Sequence, residues 1–368
     1  MLLRNRLKKE LANLLILKNN EVIGSILYIF IITFLIIILN EYNQMPEDSR
    51  SSGVSFVQIE GLDNYDNINS YNYGLKLNSI QHEYHLKDLQ YSFWEELLIP
   101  GMPKTRESDY ENGYIFDSSQ CFQGLCFTDE YVLITSDSVE YGCFGELMIF
   151  NRKTGEYLVT LAMDEQSHLG GVAWDGMNIW VCNSSNNTIE RLSYEFVQKI
   201  ASQKYGKVLN VTNLMEVYQV INSPSGITYA EDCLWVVSHN IWGNSYMVSY
   251  SYDELENKIL VLSKYRIPHQ VQGVTFDEHG RVYLSMSYGR RRSSYIRKYE
   301  SVSVMNRNVE NYSMLIEMPP CSEEIVFEEG VLYVLFESAG EKYLEGTDGL
   351  GKSSCPLDKI LIIDLTLP

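Results

Sequence analysis

Two sets of polar residues recur at fixed distances along this chain, and they hold most of its capacity for chemistry. The first is Gln123, Gly170, Ser225, Gln272 and Glu323, each standing immediately before a position that repeats at 124, 171, 226, 273 and 324. The second stands thirteen residues after that position, at Asp137, Ser184, His239 and Glu337, with Ser287 one residue later in its own copy. Carboxylate and amide oxygens suit a hard cation: Glu323, Glu324, Asp137 and Glu337, with Gln272, are candidate ligands for Ca²⁺, which takes about six to eight oxygens. An ion held there would polarise an ester or lactone carbonyl, with His239 as the candidate catalytic base. The competing reading of the same residues is that they hydrogen-bond to water in a channel. A third cluster, Tyr288-Gly289-Arg290-Arg291-Arg292, is the dense basic run of an acidic chain. A guanidinium there can fork onto a carboxylate or phosphate, which adds Tyr288 and Arg290 to Gln123 and Gln272 as candidate ligand-binding residues. Against that stands a solvated loop paired with local acids.

These positions converge only if the unit that carries them is a repeat. Residues 168–194, HLGGVAWDGMNIWVCNSSNNTIERLSY, show the unit: a small pair Gly170-Gly171, an apolar strand, a polar turn Asp175-Gly176, a second strand at 178–182 and a third at 187–194. Copies begin at Gln123-Gly124, Ser225-Gly226, Gln272-Gly273 and Glu323-Glu324. Nine residues after the second member stand Leu133, Trp180, Trp235 and Tyr333, and ten after it stands Tyr283. Third strands are predicted at 146–151, 188–194, 246–252, 294–299 and 359–365, and fourth strands at 157–163, 216–221, 264–267 and 314–318. The origins lie 47, 55, 47 and 51 residues apart. That is slightly more than the roughly 40–50 residues of a four-stranded blade, with the excess in loops. The pattern predicts an all-β fold, a β-propeller of five blades with six as the alternative, whose innermost strands bring both polar sets to one axis. Trp174, Trp180 and Trp235 then read as blade packing, and a short helix is expected at 196–206.

The fifth copy lacks a fourth strand, and an open ring would leave an unpaired edge. Residues 110–116 end eight positions before Gly124, as Met163 lies eight before Gly171. They are therefore expected to pair with 359–365 and close the ring, so that the propeller spans 110–368. Residues 40–109 lack the repeat. They read as a tether followed by a brace or cap, with a helix at 85–98 from the spacing of Leu86, Leu89, Phe93 and Leu97, stopped by Pro100 and Pro103.

Over about 110–368 the strand-turn-strand pattern resembles the lactonase-like propellers, the group of gluconolactonases and NHL-type repeats. That resemblance implies a metal-dependent lactonase or ester hydrolase working in the central channel. In that group an inner-strand Glu begins the metal site, a feature matched by Glu323 or Glu324; the group's Asn and Asp ligands have no matching motif here. No G-x-S-x-G, H-E-x-x-H or dinucleotide fingerprint is present.

Residues 1–21 form a basic amphipathic segment, and 22–39 follow without a charge. At about 1.5 Å per residue such a helix comes near the roughly 30 Å of bilayer hydrocarbon. No small-residue cleavage site follows it, so it is expected to be an uncleaved single anchor with the five flanking basic residues on the cytoplasmic side. The propeller would then lie outside the cytoplasm. Beyond residue 40 there remain 24 basic and 46 acidic side chains, which excludes nucleic acid as a partner. The expected role is a ligand- or protein-binding module, with the hydrolase as the alternative. The seven cysteines show no metal-type spacing; Cys121 and Cys321 occupy equivalent positions in the first and last copies, but adjacent blades place such positions too far apart to favour a disulfide.

Overall fold

The computed structural model describes residues 86, 89–95, 97, 120–137, 143–165, 167–203, 208–243 and 245–366. Two units divide the chain, Met1–Ser55 and Phe56–Pro368, and every described residue belongs to the second. The expected anchor, tether and strand at 110–116 lie outside the described residues. Among the described residues no helix is long and apolar enough to cross a membrane.

The chain enters with Gln90–Phe93 (β1) and then builds five sheets. The first blade is Cys121–Phe127 (β2), Tyr131–Asp137 (β3), Phe144–Asn151 (β4) and Tyr157–Glu165 (β5). In the second, Val172–Trp174 (β6), Asn178–Asn183 (β7) and Thr188–Ser193 (β8) lead into helix Tyr194–Ala201 (α1) and strand Val208–Asn210 (β9), before Glu216–Gln219 (β10) completes the sheet. The third is Gly226–Ala230 (β11), Cys233–Val237 (β12), Ser245–Asp253 (β13) and Lys258–Ile267 (β14). The fourth is Val271–Phe276 (β15), Val282–Met286 (β16), Ser294–Tyr299 (β17) and Met314–Met318 (β18), with helix Val302–Arg307 (α2) before the last strand. Ser322–Glu328 (β19) and Val331–Phe336 (β20) begin the fifth, which continues through helix Glu341–Leu344 (α3) to Leu361–Asp364 (β21). Each inner strand touches the next, and β19 touches β2. The ring is a five-bladed β-propeller.

Local chemistry makes the hairpins. Asp175 accepts from the backbone N–H groups of Met177 (2.8 Å) and Asn178 (2.6 Å) while Gly176 takes φ +96°. Asp277 does the same for His279 (3.0 Å) and Arg281 (2.9 Å), with Gly280 at φ +73°. Side-chain capture of turn N–H groups beside a positive-φ glycine is what these residue types favour.

The apolar core is divided among the blade boundaries, with one cluster between each neighbouring pair of blades. Large residues nine or ten after an origin meet aromatics three after the next origin. Trp235 packs on Phe276 (ring centroids 5.0 Å), Tyr283 on Phe327 (5.2 Å) and Tyr333 on Phe127 (4.8 Å). Trp180 packs instead against Tyr252 of the next blade, and Trp174 against Tyr194 of its own.

Closure differs from the expectation in which segment performs it. β1 pairs antiparallel with β21, Gln90 opposite Asp364 and Phe93 opposite Leu361. The stretch expected to be helical is therefore extended at 90–93, and the propeller begins well before residue 110. Tyr91 and Phe93 turn inward while Gln90 and Ser92 are exposed, so burial of one strand face outweighs the helical spacing of the leucines. A second departure is β9, which leaves the second blade to pair parallel with β5 and cover the outer edge of the first. The helix expected at 196–206 forms two residues earlier. All seven cysteines are free.

Candidate functional site

Inner strands begin, and second strands end, at one mouth of the ring. Three of the five inner strands are irregular there: pairing slips between Phe122 and Leu125, between Val271 and Gly273, and between Ser322 and Ile325. Each slip falls where the first polar set carries a long side chain, Gln123, Gln272 or Glu323. A bulge of this kind re-aims a side chain out of the regular pleat.

Those side chains meet. The Gln123 amide donates to Glu337 Oε2 (3.1 Å), and the Gln272 amide donates to Glu323 Oε1 (3.1 Å). Amides from the first and fourth blades thus flank two acids of the fifth. Burial, then the charge of Glu337 and a hydrogen bond to it, hold the Glu323 carboxyl well above the usual range. Burial also raises Glu337, although Lys342, Tyr343 and Gln123 partly offset it. Two carboxyls in such contact cannot both ionise cheaply, which is why both stand above the usual range.

Beside the pair, Asp137 receives His168 Nδ1 at 3.2 Å and faces Lys342 Nζ at 3.7 Å. Burial opposes ionisation of all three, yet their mutual charges and hydrogen bonds prevail. Asp137 is held below its ordinary value, while His168 and Lys342 are held above theirs. One oxygen of Asp137, Oδ1, is buried without a partner. His239, from the third blade, is driven toward its neutral form by burial, against hydrogen bonds to the Val271 backbone and the Gln272 side chain.

Above this floor lies an open cleft of about 650 Å³ lined by residues 288–292, Glu337, Tyr343 and residues 349–351. Arg290 forks onto a carboxylate as its residue type suggests, but the carboxylate is its own neighbour Asp348. The same guanidinium donates to the carbonyls of Lys342 (2.8 Å) and Gly351 (2.5 Å) and lies 4.3 Å from the Tyr343 ring centroid. Its part is to join two loops into a wall. Tyr288 stands exposed at the rim.

The four acids proposed as metal ligands do not form one shell. Glu324 is turned away along the axis, where its Oε1 accepts from the N–H groups of Val274 (2.9 Å) and Ile325 (3.2 Å). Asp137 faces His168 and Lys342, and Glu323 and Glu337 each take an amide from Gln272 and Gln123. Among the described residues no three His, Cys, Asp or Glu side chains are arranged to hold a metal ion.

Glu324 has a structural task instead. Its equivalents in the other blades are Gly124, Gly171, Gly226 and Gly273. An added Cβ would lie 2.4 Å from Glu324 Oε1 at Gly273 and 2.9 Å from Glu324 Oε2 at Gly171. The glycines leave room for one carboxyl side chain across the axis, and burial raises that carboxyl well above its usual range.

Repeat reasoning reaches Gln123, Gln272, Glu323, Glu337, Asp137 and His239, but it does not reach Lys342, Tyr343 and His168. The first two sit on α3, inside the 24-residue connection between β20 and β21, where no other blade offers an equivalent. The length of that connection was the available signal.

No family model matches the chain, and no curated protein matches it. Solved structures similar to it include Myxococcus xanthus glutaminyl cyclase, at 8% identity and TM-score 0.39, covering 72% of this chain and 94% of that one. A nidogen/laminin complex is similar at 14% identity and TM-score 0.40, covering 67% and 84%. Kuenenia stuttgartiensis hydrazine synthase is similar at 11% and 0.34, covering 57% and 54%. Likeness at this level assigns no activity.

Proposed function

We propose that this chain is a membrane-anchored, extracytoplasmic β-propeller serving as a ligand- or protein-binding module, with its site at the mouth described above. The observation that carries this reading is the convergence of Gln123, Asp137, His239, Gln272, Glu323 and Glu337, drawn from four blades, beneath an open cleft. Polar groups buried with this much mutual pairing are costly to assemble, and they cluster where a ligand is recognised. The uncharged run at 22–39, with basic residues before it, supports the anchor and the outward placement.

Thermal-shift measurements on the full-length chain, against a panel of small charged and neutral polar compounds, test the site. At least one compound should raise the melting temperature, and Gln272→Ala or Glu337→Gln should erase the shift. Turnover of an ester or lactone, lost on chelation, would favour a lactonase-like hydrolase and overturn the binding module. For placement, protease added to intact cells should remove the propeller and spare the N-terminus; a mature chain beginning near residue 41 would overturn the anchor.

A further inference from the structure

The basic run at the cleft divides into two parts with different duties. Arg290 is fully engaged by Asp348 and by the carbonyls of Lys342 and Gly351, and the Arg290 carbonyl in turn accepts from the Ser354 N–H at 3.0 Å. This bonding fixes the loop after β16 against the connection after α3. Arg291 and Arg292 are held over the cleft as a result, exposed and without an ion-pair partner among the described residues. Arg292 lies 5.8 Å from the centroid of the Tyr288 ring, within cation–π range. A chain with 48 acidic and 29 basic side chains thus presents two unneutralised guanidinium groups on one concave wall.

The floor opposite them has another character. Glu337 accepts from Gln123 and is hydrogen-bonded to Tyr343, so the deep end offers amide, phenol and carboxyl groups. An anion at the rim meets guanidinium donors, and hydroxyl or amide groups on the same ligand meet the floor. The cleft volume of about 650 Å³ lies within the roughly 300–1,000 Å³ of small-molecule sites.

Resting on the binding-module reading, we propose that this cleft takes a small anionic ligand. Arg291 and Arg292 grip its carboxylate or phosphate, and its hydroxyl-bearing end lies on Glu337 and Tyr343. Guanidinium groups suit both anions because their planar N–H fork matches either pair of oxygens.

Calorimetric titration of the full-length chain with inorganic phosphate and with malate, at constant ionic strength, tests the assignment and separates the two anions. At least one should bind the unaltered protein. The double variant Arg291→Ala/Arg292→Ala should weaken that binding by about tenfold or more, while Arg307→Ala, an exposed arginine on α2, should leave it unchanged. Glu337→Gln should weaken malate more than phosphate, since only malate carries a hydroxyl for the floor. Failure of both anions to bind, or binding indifferent to the double variant, overturns the proposal. Binding of an uncharged compound that is lost in Glu337→Gln but survives in the double variant would sink the anion site and leave the binding module standing. Indifference to all of these variants would remove both.

Discussion

Phe127 and Tyr333 meet edge to face with ring centroids 4.8 Å apart and planes at 83°, and this contact joins the last blade to the first. Arg152 lies 4.9 Å from the Phe127 centroid and pairs with Glu328, while Trp94 packs on both rings. Sequence places these two aromatics 206 positions apart. Only a closed ring brings them together.

A double-mutant cycle on Phe127→Ala and Tyr333→Ala should therefore show coupling of about 0.5–1.5 kcal/mol beyond the separate losses. Urea denaturation of the four proteins measures it. Strict additivity would mean that the closing boundary contributes no more than two independent apolar side chains.

Deletion of Gln90–Phe93 should leave β21 as an unpaired outer strand and drive the protein to associate. Light scattering and size-exclusion chromatography report this directly. A deletion variant that remains monomeric, with unchanged melting temperature, would show that β21 needs no outer partner.

Glu190 lies buried in the second blade, where Asn183 donates to it at 2.7 Å, and burial pushes its carboxyl up to about 7. The unfolded chain releases this proton near 4.5, so between about 4.5 and 7 the native state holds a proton that the unfolded state has lost. Stability from this group must fall as pH rises through that window, by up to about 3 kcal/mol. Glu190→Gln keeps an oxygen acceptor for Asn183 and cannot ionise. It should raise stability at pH 8 and leave pH 4 nearly unchanged, as read from denaturation midpoints at the two values.

Gly273→Ala should destabilise the protein by several kcal/mol, because the new methyl would lie 2.4 Å from Glu324 Oε1 and 2.7 Å from its Cα. The backbone Cα cannot swing aside as a flexible side-chain end can. Combining the change with Glu324→Gly, which removes the crossing side chain, should recover part of the loss. Thermal denaturation of the single and double variants checks both statements.

What the sequence determined by itself is local in origin. Strand alternation, the Asp-Gly reversal at 175–176 and the repeated small residues at 124, 171, 226 and 273 are set by neighbours a few positions apart, and they specify five copies of one unit. Equivalent register then implies that Gln123, Gln272, Glu323 and Glu337 face one mouth. Tertiary structure decided everything that depends on partners far along the chain. Leu86, Leu89, Phe93 and Leu97 satisfy a helical spacing, and Tyr91 with Phe93 also satisfies a strand. The free edge of β21 settled that choice, because pairing satisfies backbone groups that a helix would leave exposed on the sheet. Glu323 and Glu324 are neighbours of the same type, yet a bulge sends one to the Gln272 amide and the other across the axis. Lys342 and Tyr343 belong to no repeat, and Arg290 of the fourth blade fastens their loop beside the floor. The charge state of Asp137 follows from burial and from His168 and Lys342, which lie far from it in sequence, and that of Glu324 from burial alone set against backbone N–H groups.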